Sequence, residues 1–433
     1  MHETQTRERE RALLVGFTTD SHSRVAVEDS LQELALLADT AGAEVIETII
    51  HSRPKIDPAF FIGRGKAEFI AKLAAEQDID VVIFDDDLSP GQAKNLEEMF
   101  EKKVIDRSGL ILDIFARRAR TREARTQVEL AQLEYLLPRL TRMWSHFSRQ
   151  VGGIGVRGPG ETQLEVDRRI VRQRIAHLAK DLKKIDLQRA VRRQHRAGVF
   201  KVALVGYTNA GKSTLLNALT EADVFVEDRL FATLDPTVRA LRWPQNGYQK
   251  EVGPIVLIDT VGIIRKLPHH LVASFKPKLD EVRAASLLLH VIDVTHPQFE
   301  QQIATVRSVL NDMQLNDYPA LHVFNKVDLL PESGLLQRLE QEFAPAIFVS
   351  AQRKMFLADL QRWINDFAAA SAEEFEAELP ISEPAKLARV HEMAHVLDRR
   401  FEEDKVILKL RARQAAAKQI RQLLANHSSN IVA

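Results

Sequence analysis

The chain has 433 residues, no cysteine, and 60 Lys and Arg against 60 Asp and Glu. That length is enough for two to four domains, and the lack of cysteine excludes disulfide frameworks, thiol nucleophiles and cysteine-ligated metal centres. The charged N-terminal start has only a short apolar run, and no later apolar stretch approaches the roughly 20 residues of a membrane span, so we predict a soluble, cytoplasmic protein with no membrane association.

Residues 1–106 are predicted to form an N-terminal α/β domain. Short apolar runs (ALLVGF, AEVIETII, VVIF and KVI) alternate with helical patterns such as GKAEFIAKLAAEQ. This alternation indicates βαβ units around a mostly parallel sheet. The short Gly63-Arg64-Gly65-Lys66 segment is too brief for a phosphate-binding loop, and we predict that it begins a helix.

Residues 107–197 are predicted to form a long, basic, antiparallel helical hairpin. Apolar side chains recur there at alternating steps of three and four residues, which is typical of two helices packed along a seam. They are Leu130, Leu133, Leu137, Leu140 and Trp144, and then Val171, Ile175, Leu178, Leu182 and Ile185. Residues 107–200 carry 21 Lys and Arg against 9 Asp and Glu, so the neutral total hides a basic middle and acidic flanks.

The tip of the predicted hairpin, residues 151–161, reads VGGIGVRGPGE and contains five glycines. Such a flexible, basic segment is unsuited to a core. Arginines neutralise phosphates and glycines allow close backbone approach, which favours RNA contact; charge alone equally fits a solvated coiled coil. The RNA-contact candidates are Arg149, Gly152, Gly153, Gly155, Arg157, Gly158, Gly160, Arg168 and Arg169.

Residues 198–370 are predicted to form a second α/β domain that binds a nucleotide. Its GYTNAGKS segment matches GxxxxGK[ST] between the strand KVALV and the helix STLLNALTEA. Backbone N–H groups of such a loop surround phosphates, Lys212 reaches the β and γ oxygens, and Ser213 ligates Mg²⁺. The predicted residues are Gly206, Tyr207, Thr208, Asn209, Ala210, Gly211, Lys212, Ser213 and Thr214.

Two further segments are predicted to surround the γ-phosphate. Asp259, Thr260, Val261 and Gly262 follow an apolar strand, which places the Asp259 carboxylate behind the Mg²⁺ ligands and the Gly262 N–H near the phosphate. A switch-loop candidate lies between the two motifs and consists of Phe231, Ala232, Thr233, Leu234 and Asp235. Thr233 is predicted to add a second hydroxyl ligand to Mg²⁺, with Thr237 as the alternative.

Guanine selectivity is predicted from two segments at strand ends, Asn325, Lys326, Val327 and Asp328, and then Ser350, Ala351 and Gln352. The Asp328 carboxylate can accept hydrogen bonds from guanine N1–H and the 2-amino group, neither of which adenine offers. A backbone N–H of the second segment would donate to guanine O6. GTP is therefore preferred over ATP.

Ile263 occupies the position after the DxxG segment, where the best-known GTPases have a glutamine that orients the attacking water. An isoleucine has no hydrogen-bonding group. The catalytic set is therefore predicted to be Lys212, Thr233, Gly262 and Ile263, with slow intrinsic hydrolysis that a partner accelerates.

Residues 371–433 are predicted to form a small α+β domain with an Ala/Glu-rich linker, SAEEFEAELP, a helix over 384–401, a strand at VILKLRA and a final helix. His391-Glu392-Met-Ala-His395 fits HExxH, so a zinc peptidase is a remote alternative. Asp398 and Phe401 stand where the extended motif has glycine and histidine, and no acidic residue follows Asp404.

Together these segments resemble the HflX family of Obg/HflX-like translational GTPases. The similarity covers residues 10–365 and rests on GYTNAGKST, LFATLDPTVR, DTVGIIRKLPHHLVASFK, FNKVD and, most specifically, RQVGGIGVRGPGETQLEVDRR. The resemblance implies a monomeric GTPase that uses Mg²⁺, binds GTP and GDP, and binds the large ribosomal subunit and its rRNA near the peptidyl-transferase region. It implies GTP-dependent rescue, splitting or recycling of ribosomes under stress. Members carry a hydrophobic residue in place of the catalytic glutamine, and Ile263 is such a residue.

A GTPase acting on another RNA, such as tRNA, is the alternative. An enzyme of that type normally needs an added catalytic cysteine or a cofactor domain, and the absence of cysteine argues against it.

Overall fold

The computed structural model describes residues 9–19, 24–140, 163–194, 199–220, 230–231, 237–242, 255–266, 282–315, 318–330, 334–402 and 404–425. The chain divides into two compact units. The first comprises residues 1–185, 228–235 and 265–276, and the second comprises residues 186–227, 236–264 and 277–433. Among the described residues, no helix combines the length and apolarity that a bilayer crossing requires.

The first unit contains a four-stranded parallel sheet in the order β2-β1-β3-β4. Its strands are β1 (Glu10–Thr18), β2 (Ala43–Ser52), β3 (Val81–Phe84) and β4 (Lys103–Asp106). Its helices are α1 (Arg24–Ala41), α2 (Arg64–Glu76), α3 (Pro90–Phe100) and α4 (Arg107–Arg118). The predicted α/β domain is confirmed, and Gly63 precedes the first turn of α2 with a φ of 83°.

Helix α4 differs from the sequence prediction, which placed the start of the hairpin at Arg107. The Asp106 side chain accepts a hydrogen bond from Gly109 N–H at 2.9 Å and so caps α4. Arg107 is 1% exposed and donates to Asp85 at 2.7 Å. Because α4 is buried against the α/β layer on several sides, the helices that form the hairpin seam begin after it.

The predicted hairpin seam is confirmed between α5 (Arg122–Leu136) and α6 (Gln163–Gln194). A short 3-10 turn, Leu137–Arg139, follows α5. Side chains from both predicted runs form one apolar cluster: Leu130, Leu133, Leu137, Leu140, Leu164, Val171, Ile175 and Leu178. Trp144 and the glycine-rich tip lie outside the described residues.

The second unit contains a six-stranded sheet in the order β10-β9-β8-β5-β7-β6, parallel except for β6, which runs antiparallel to β7. The strands are β5 (Phe200–Gly206), β6 (Thr237–Ala240), β7 (Ile255–Asp259), β8 (Leu287–Asp293), β9 (Ala320–Asn325) and β10 (Ala346–Phe348). The helices are α7 (Lys212–Thr220), α8 (Phe299–Asp312), α9 (Gly334–Glu342) and α10 (Leu357–Ala370). This is the predicted P-loop domain with a mostly parallel sheet.

The end of the chain forms a three-stranded antiparallel sheet, β11-β13-β12, with two helices. These elements are β11 (Ala372–Pro380), α11 (Pro384–Met393), β12 (His395–Glu402), β13 (Lys405–Arg413) and α12 (Gln414–Ala425). The predicted linker is therefore β11. Ala377 and Leu379 are buried, whereas Glu376 and Glu378 between and beside them are exposed, which is the period of a strand.

The predicted helix over 384–401 is wrong, because α11 ends at Met393 and a strand follows. His391 lies in the last turn of α11, whereas His395 is the first residue of β12. The HExxH spacing therefore does not put both histidines on one helix face, which a zinc peptidase needs. Within the described part of the chain, no group of three or more His, Asp or Glu side chains could hold a metal ion. The zinc-peptidase alternative is therefore wrong.

Candidate nucleotide-binding site

The predicted nucleotide segments lie together at the carboxyl ends of the parallel strands of the six-stranded sheet. β5, β7, β8, β9 and β10 are parallel, so their carboxyl ends lie together, which is where ligands bind in open α/β sheets. The loop 206–211 follows β5, DTVG begins at the last residue of β7, NKVD begins at the last residue of β9, and SAQ comes shortly after β10.

The glycines of the first loop are required by its path. Gly206 has a φ of 156°, and a Cβ there would lie 2.2 Å from the Val291 carbonyl oxygen. Gly211 has a φ of 91°, and a Cβ there would lie 2.2 Å from Asn325 Nδ2. Any side chain at either position would displace the neighbouring strand end, so the motif glycines let the loop lie directly against β8 and β9.

Lys212 begins α7 and is buried within the loop that precedes it. Its Nζ donates to the carbonyl oxygens of Tyr207 at 2.6 Å and Gly206 at 3.2 Å. Burial lowers the pKa of Lys212 to about 8, and the Asp259 carboxylate offsets part of that effect. The ammonium is thus held at the mouth of a loop rich in backbone donors, where an anionic ligand would favour its charged form.

An oxygen pair beside Lys212 has the chemistry of a magnesium site. Ser213 Oγ donates to Asp259 Oδ2 at 2.7 Å, and Asp259 is fully buried. A hydroxyl and a carboxylate are hard oxygen ligands of the type that Mg²⁺ prefers, so these residues fit the ion. Thr214 follows in α7 and is half-buried, while Thr260 Oγ1 donates to the Leu204 carbonyl at 2.6 Å and so serves the sheet.

Two threonines, Thr233 and Thr237, are candidates for the second Mg²⁺ ligand. Thr233 lies outside the described residues, as do Ala232, Leu234 and Asp235. Thr237 begins β6 and pairs in register with Asp259 on β7. Phe231 belongs to the first unit, where it is 3% exposed and its ring packs edge-on against Phe115 with centroids 4.7 Å apart. Its ring is therefore occupied by protein rather than open to a nucleotide.

The DxxG segment is joined to the phosphate loop through backbone hydrogen bonds. Ile263 N–H donates to the Gly206 carbonyl at 3.0 Å, and Thr208 N–H donates to the Ile263 carbonyl at 2.8 Å. A Cβ on Gly262 would lie 2.8 Å from Thr208 Cγ2 and 3.2 Å from Lys212 Nζ. Ile263 is only 6% exposed, so its side chain is packed apolar surface and has no group that could orient water.

The side chain of Asn325 connects three loops of the site. Its Nδ2 donates to the Ala210 carbonyl at 3.0 Å, and its Oδ1 accepts from Ala351 N–H at 2.9 Å. Ser350 N–H donates to the Met355 carbonyl at 3.2 Å. Within the Ser350-Ala351-Gln352 segment, the exposed Gln352 is therefore the remaining candidate for donating a backbone N–H to guanine O6.

Asp328, the predicted guanine ligand, lies in a short 3-10 turn that begins at Val327. Its side chain is 14% exposed, and Arg353 Nε lies 3.8 Å from Asp328 Oδ2. Lys326 has a φ of 67°, and its Nζ donates to Asp293 Oδ2 at 2.5 Å. The Asp328 carboxylate is thus held near the sheet edge by its turn.

Asp293 and Arg353 are site residues that the sequence analysis did not identify. Asp293 ends β8 in the string HVID, just as Asp259 ends β7 in VLID, so a carboxylate at the end of an adjacent parallel strand was the available signal. Arg353 follows SAQ directly, and no spacing rule links it to Asp328.

The RNA-contact candidates lie mostly outside the described residues: Arg149, Gly152, Gly153, Gly155, Arg157, Gly158 and Gly160. Arg168 and Arg169 are in the first turns of α6 and are half-buried. Arg168 donates to the Leu140 carbonyl at 3.3 Å, so it also joins the two helices of the seam.

Three family models match successive parts of the chain. Family models described as GTP-binding GTPase N-terminal, GTP-binding GTPase Middle Region and 50S ribosome-binding GTPase match residues 28–116, 118–196 and 201–326. A GDP complex of a GTP-binding protein from Sulfolobus solfataricus is 26% identical, with coverage of 83% of this chain and 98% of that one and a TM-score of 0.43.

Two curated relatives are much more similar in sequence. The GTPase HflX of Escherichia coli K12 is 45% identical over 400 residues, which is 91% of each chain. The GTPase HflX of Flavobacterium psychrophilum is 51% identical over 328 residues, which is 76% of this chain and 78% of that one. This chain belongs to the GTPase HflX family, and it binds and hydrolyses GTP.

Proposed function

We propose that the protein binds GTP with Mg²⁺ and acts on the large ribosomal subunit, in GTP-dependent rescue, splitting or recycling of ribosomes under stress. The observation that carries the proposal is the buried Ile263, which leaves the site without a water-orienting side chain at that position. A GTPase that lacks this side chain suits the role of a switch, in which binding of a large partner completes the catalytic site and so allows hydrolysis.

The residues of the site have separate roles in this proposal. Ser213, with Asp259 behind it, would hold Mg²⁺, and the ion would supply neutralisation of phosphate charge. Lys212 binds the phosphate oxygens, and Gly262 offers its N–H to the γ-phosphate. Water attacks the γ-phosphorus and loses a proton to solvent, the bond from the phosphorus to the bridging oxygen breaks, and GDP and inorganic phosphate leave.

Charge and the order of segments along the chain support an RNA partner. The region from 107 to 200 has an excess of 12 positive charges, and in the sequence its glycine-rich segment falls between the two runs that form the seam. Clustered Arg and Lys with flexible glycines suit a phosphate-lined RNA cavity. The family model that matches residues 201–326 is described as a 50S ribosome-binding GTPase, which supports the same partner.

Sedimentation tests the partner directly. With a non-hydrolysable GTP analogue, we expect the protein to pellet with purified large subunits, and the bound fraction to fall as salt rises because RNA contacts release counterions. Arg157→Ala with Arg149→Ala should weaken pelleting without changing GTP affinity. Binding of neither subunit would overturn the ribosomal proposal, and pelleting only with tRNA would favour the alternative RNA partner.

Hydrolysis kinetics test the role assigned to Ile263. We expect slow single-turnover hydrolysis by the isolated protein, rising by about 10³-fold or more when large subunits are added, the scale seen when partners complete GTPase sites. The small subunit alone serves as the control. A protein that already hydrolyses GTP at the stimulated rate without ribosomes would contradict this role.

A further inference from the structure

The first unit contains a cavity of about 230 Å³ at the open edge of its sheet. The edge strand β4 forms its floor; among the described strands, β4 pairs with β3 alone. Helix α3 forms one wall, and α4 and α5 form the others. All of its lining residues lie between 88 and 139, and none belongs to the predicted nucleotide-binding segments.

The walls are largely apolar and the inner charges are acidic. Val104, Leu112 and Leu136 contribute apolar surface. Lys94 and Lys103 also line the cavity, but both are exposed, and Lys94 pairs with Glu98 at 3.6 Å. The two lysines therefore lie at the solvent side of the cavity.

The one arginine of the lining is already engaged. Arg139 donates to Asp106 Oδ2 at 3.0 Å, to the Leu88 carbonyl at 2.8 Å and to the Tyr135 carbonyl at 3.0 Å. Tyr135 donates its hydroxyl to Asp106 Oδ1 at 2.8 Å. Asp106 therefore already has a cationic partner, Arg139, within this network.

Two carboxyl groups remain, Glu97 on α3 and Asp113 on α4. Both are partly buried, and neither forms an ion pair with any residue that the structure describes. Burial raises the pKa of Glu97, although its carboxylate accepts a hydrogen bond from Val104 N–H. Burial also raises the pKa of Asp113, with Lys103 and Arg117 opposing and Glu10 adding to the effect. Both carboxylates would gain from a cation inside the cavity.

We propose that this cavity binds a small aliphatic diamine, with one ammonium at Glu97, the other at Asp113, and the methylene chain against Val104, Leu112 and Leu136. A largely apolar cavity with a carboxyl group on each of two lining helices matches a short alkyl chain with a charge at each end. Inorganic cations lack the apolar body, and neutral diols lack the charges. This inference goes beyond the ribosomal proposal and does not depend on it.

Calorimetric titration of the full-length protein with putrescine tests the proposal. We expect saturable binding to the wild type, and at least about tenfold weaker binding to Glu97→Gln and to Asp113→Asn, since each removes one charge-assisted contact. Ala93→Leu, which narrows the cavity without altering charge, should weaken binding as well, and it keeps the test decisive if a carboxyl variant fails to fold.

The matched control is Glu68→Gln on α2, an exposed carboxylate whose partner Arg64 is not among the lining residues; this variant should bind putrescine as the wild type does. GTP hydrolysis should be unchanged in every variant. Lack of saturation by about 10 mM putrescine would overturn the proposal. Equal binding of 1,4-butanediol, or equal weakening by Glu68→Gln, would overturn it too, because either result would remove the role of the two inner carboxylates.

Discussion

Replacing Lys212 with alanine is expected to lower the rate of GTP hydrolysis by about 100- to 1,000-fold, the effect of removing one preorganised donor from a developing oxyanion. The buried ammonium lies among the backbone groups of the phosphate loop. Single-turnover hydrolysis at saturating GTP measures the loss. Affinity for GTP should also fall, because the same charge binds the ground-state phosphates.

The titration of Lys212 gives a second readout of the same prediction. Its pKa in the folded protein is about 8, against 10.5 for an unperturbed lysine. Between those values the unfolded chain binds more protons, so the nucleotide-free wild type should gain stability relative to Lys212→Ala as the pH rises from 8 to 10. GTP favours the charged form, so its affinity should fall over the same interval.

Lys183→Ala, an exposed lysine on α6, is the control for Lys212 and should retain unstimulated hydrolysis. Normal hydrolysis by folded Lys212→Ala would contradict the assignment of the phosphate loop. Thermal melting of both variants establishes that they are folded.

Replacing Asp328 with asparagine is expected to change the base that the protein binds. Guanine presents two donors to the carboxylate, and asparagine opposes one of them with its own N–H₂. Loss of two charge-assisted hydrogen bonds should weaken GTP binding by about 10²- to 10⁴-fold. Xanthine has a carbonyl in place of the 2-amino group, so xanthosine triphosphate should become the better ligand.

Competition between GTP and xanthosine triphosphate for the purified variant measures this exchange. Asp359→Asn, an exposed carboxylate at the start of α10, is the matched control and should still prefer GTP. If folded Asp328→Asn kept the wild-type preference, guanine recognition would have to come from other groups, such as Gln352.

The nucleotide loops could be predicted because each depends on local geometry. A P-loop needs a strand, a glycine turn and a helix in direct succession, and residues 200–220 supply all three. The contacts of Asn325 could not be predicted, because its partners Ala210 and Ala351 are brought near it only by the order of strands in the sheet.

Within the C-terminal α+β region, the linker and the extent of the helix over 384–401 were mispredicted because two signals conflicted. In SAEEFEAELP the Ala and Glu content favours a helix or linker, but the alternation of apolar and acidic residues is that of a strand, and pairing with β13 decides the outcome. The segment after Met393 also reads as a continuing helix. Its pairing with β13 instead places it in the sheet.

The start of the hairpin was misplaced for a different reason. The α4 sequence, RSGLILDIFARR, is helical in either reading, and only its burial shows which layer it joins. Arg107 would normally indicate a solvent-facing start, but Asp85 and Glu33 provide buried partners for it.

We expect the bridge made by Asn325 to make recognition of the two ends of the nucleotide cooperative. One amide joins the phosphate loop to the segment predicted to approach the base, so ordering either loop should restrict the other before the second part of the ligand arrives. A guanosine fragment and a triphosphate fragment would then each enhance binding of the other. The binding free energy of intact GTP would then exceed the sum for its two fragments. A triphosphate with the wrong base would also bind more weakly through its phosphates.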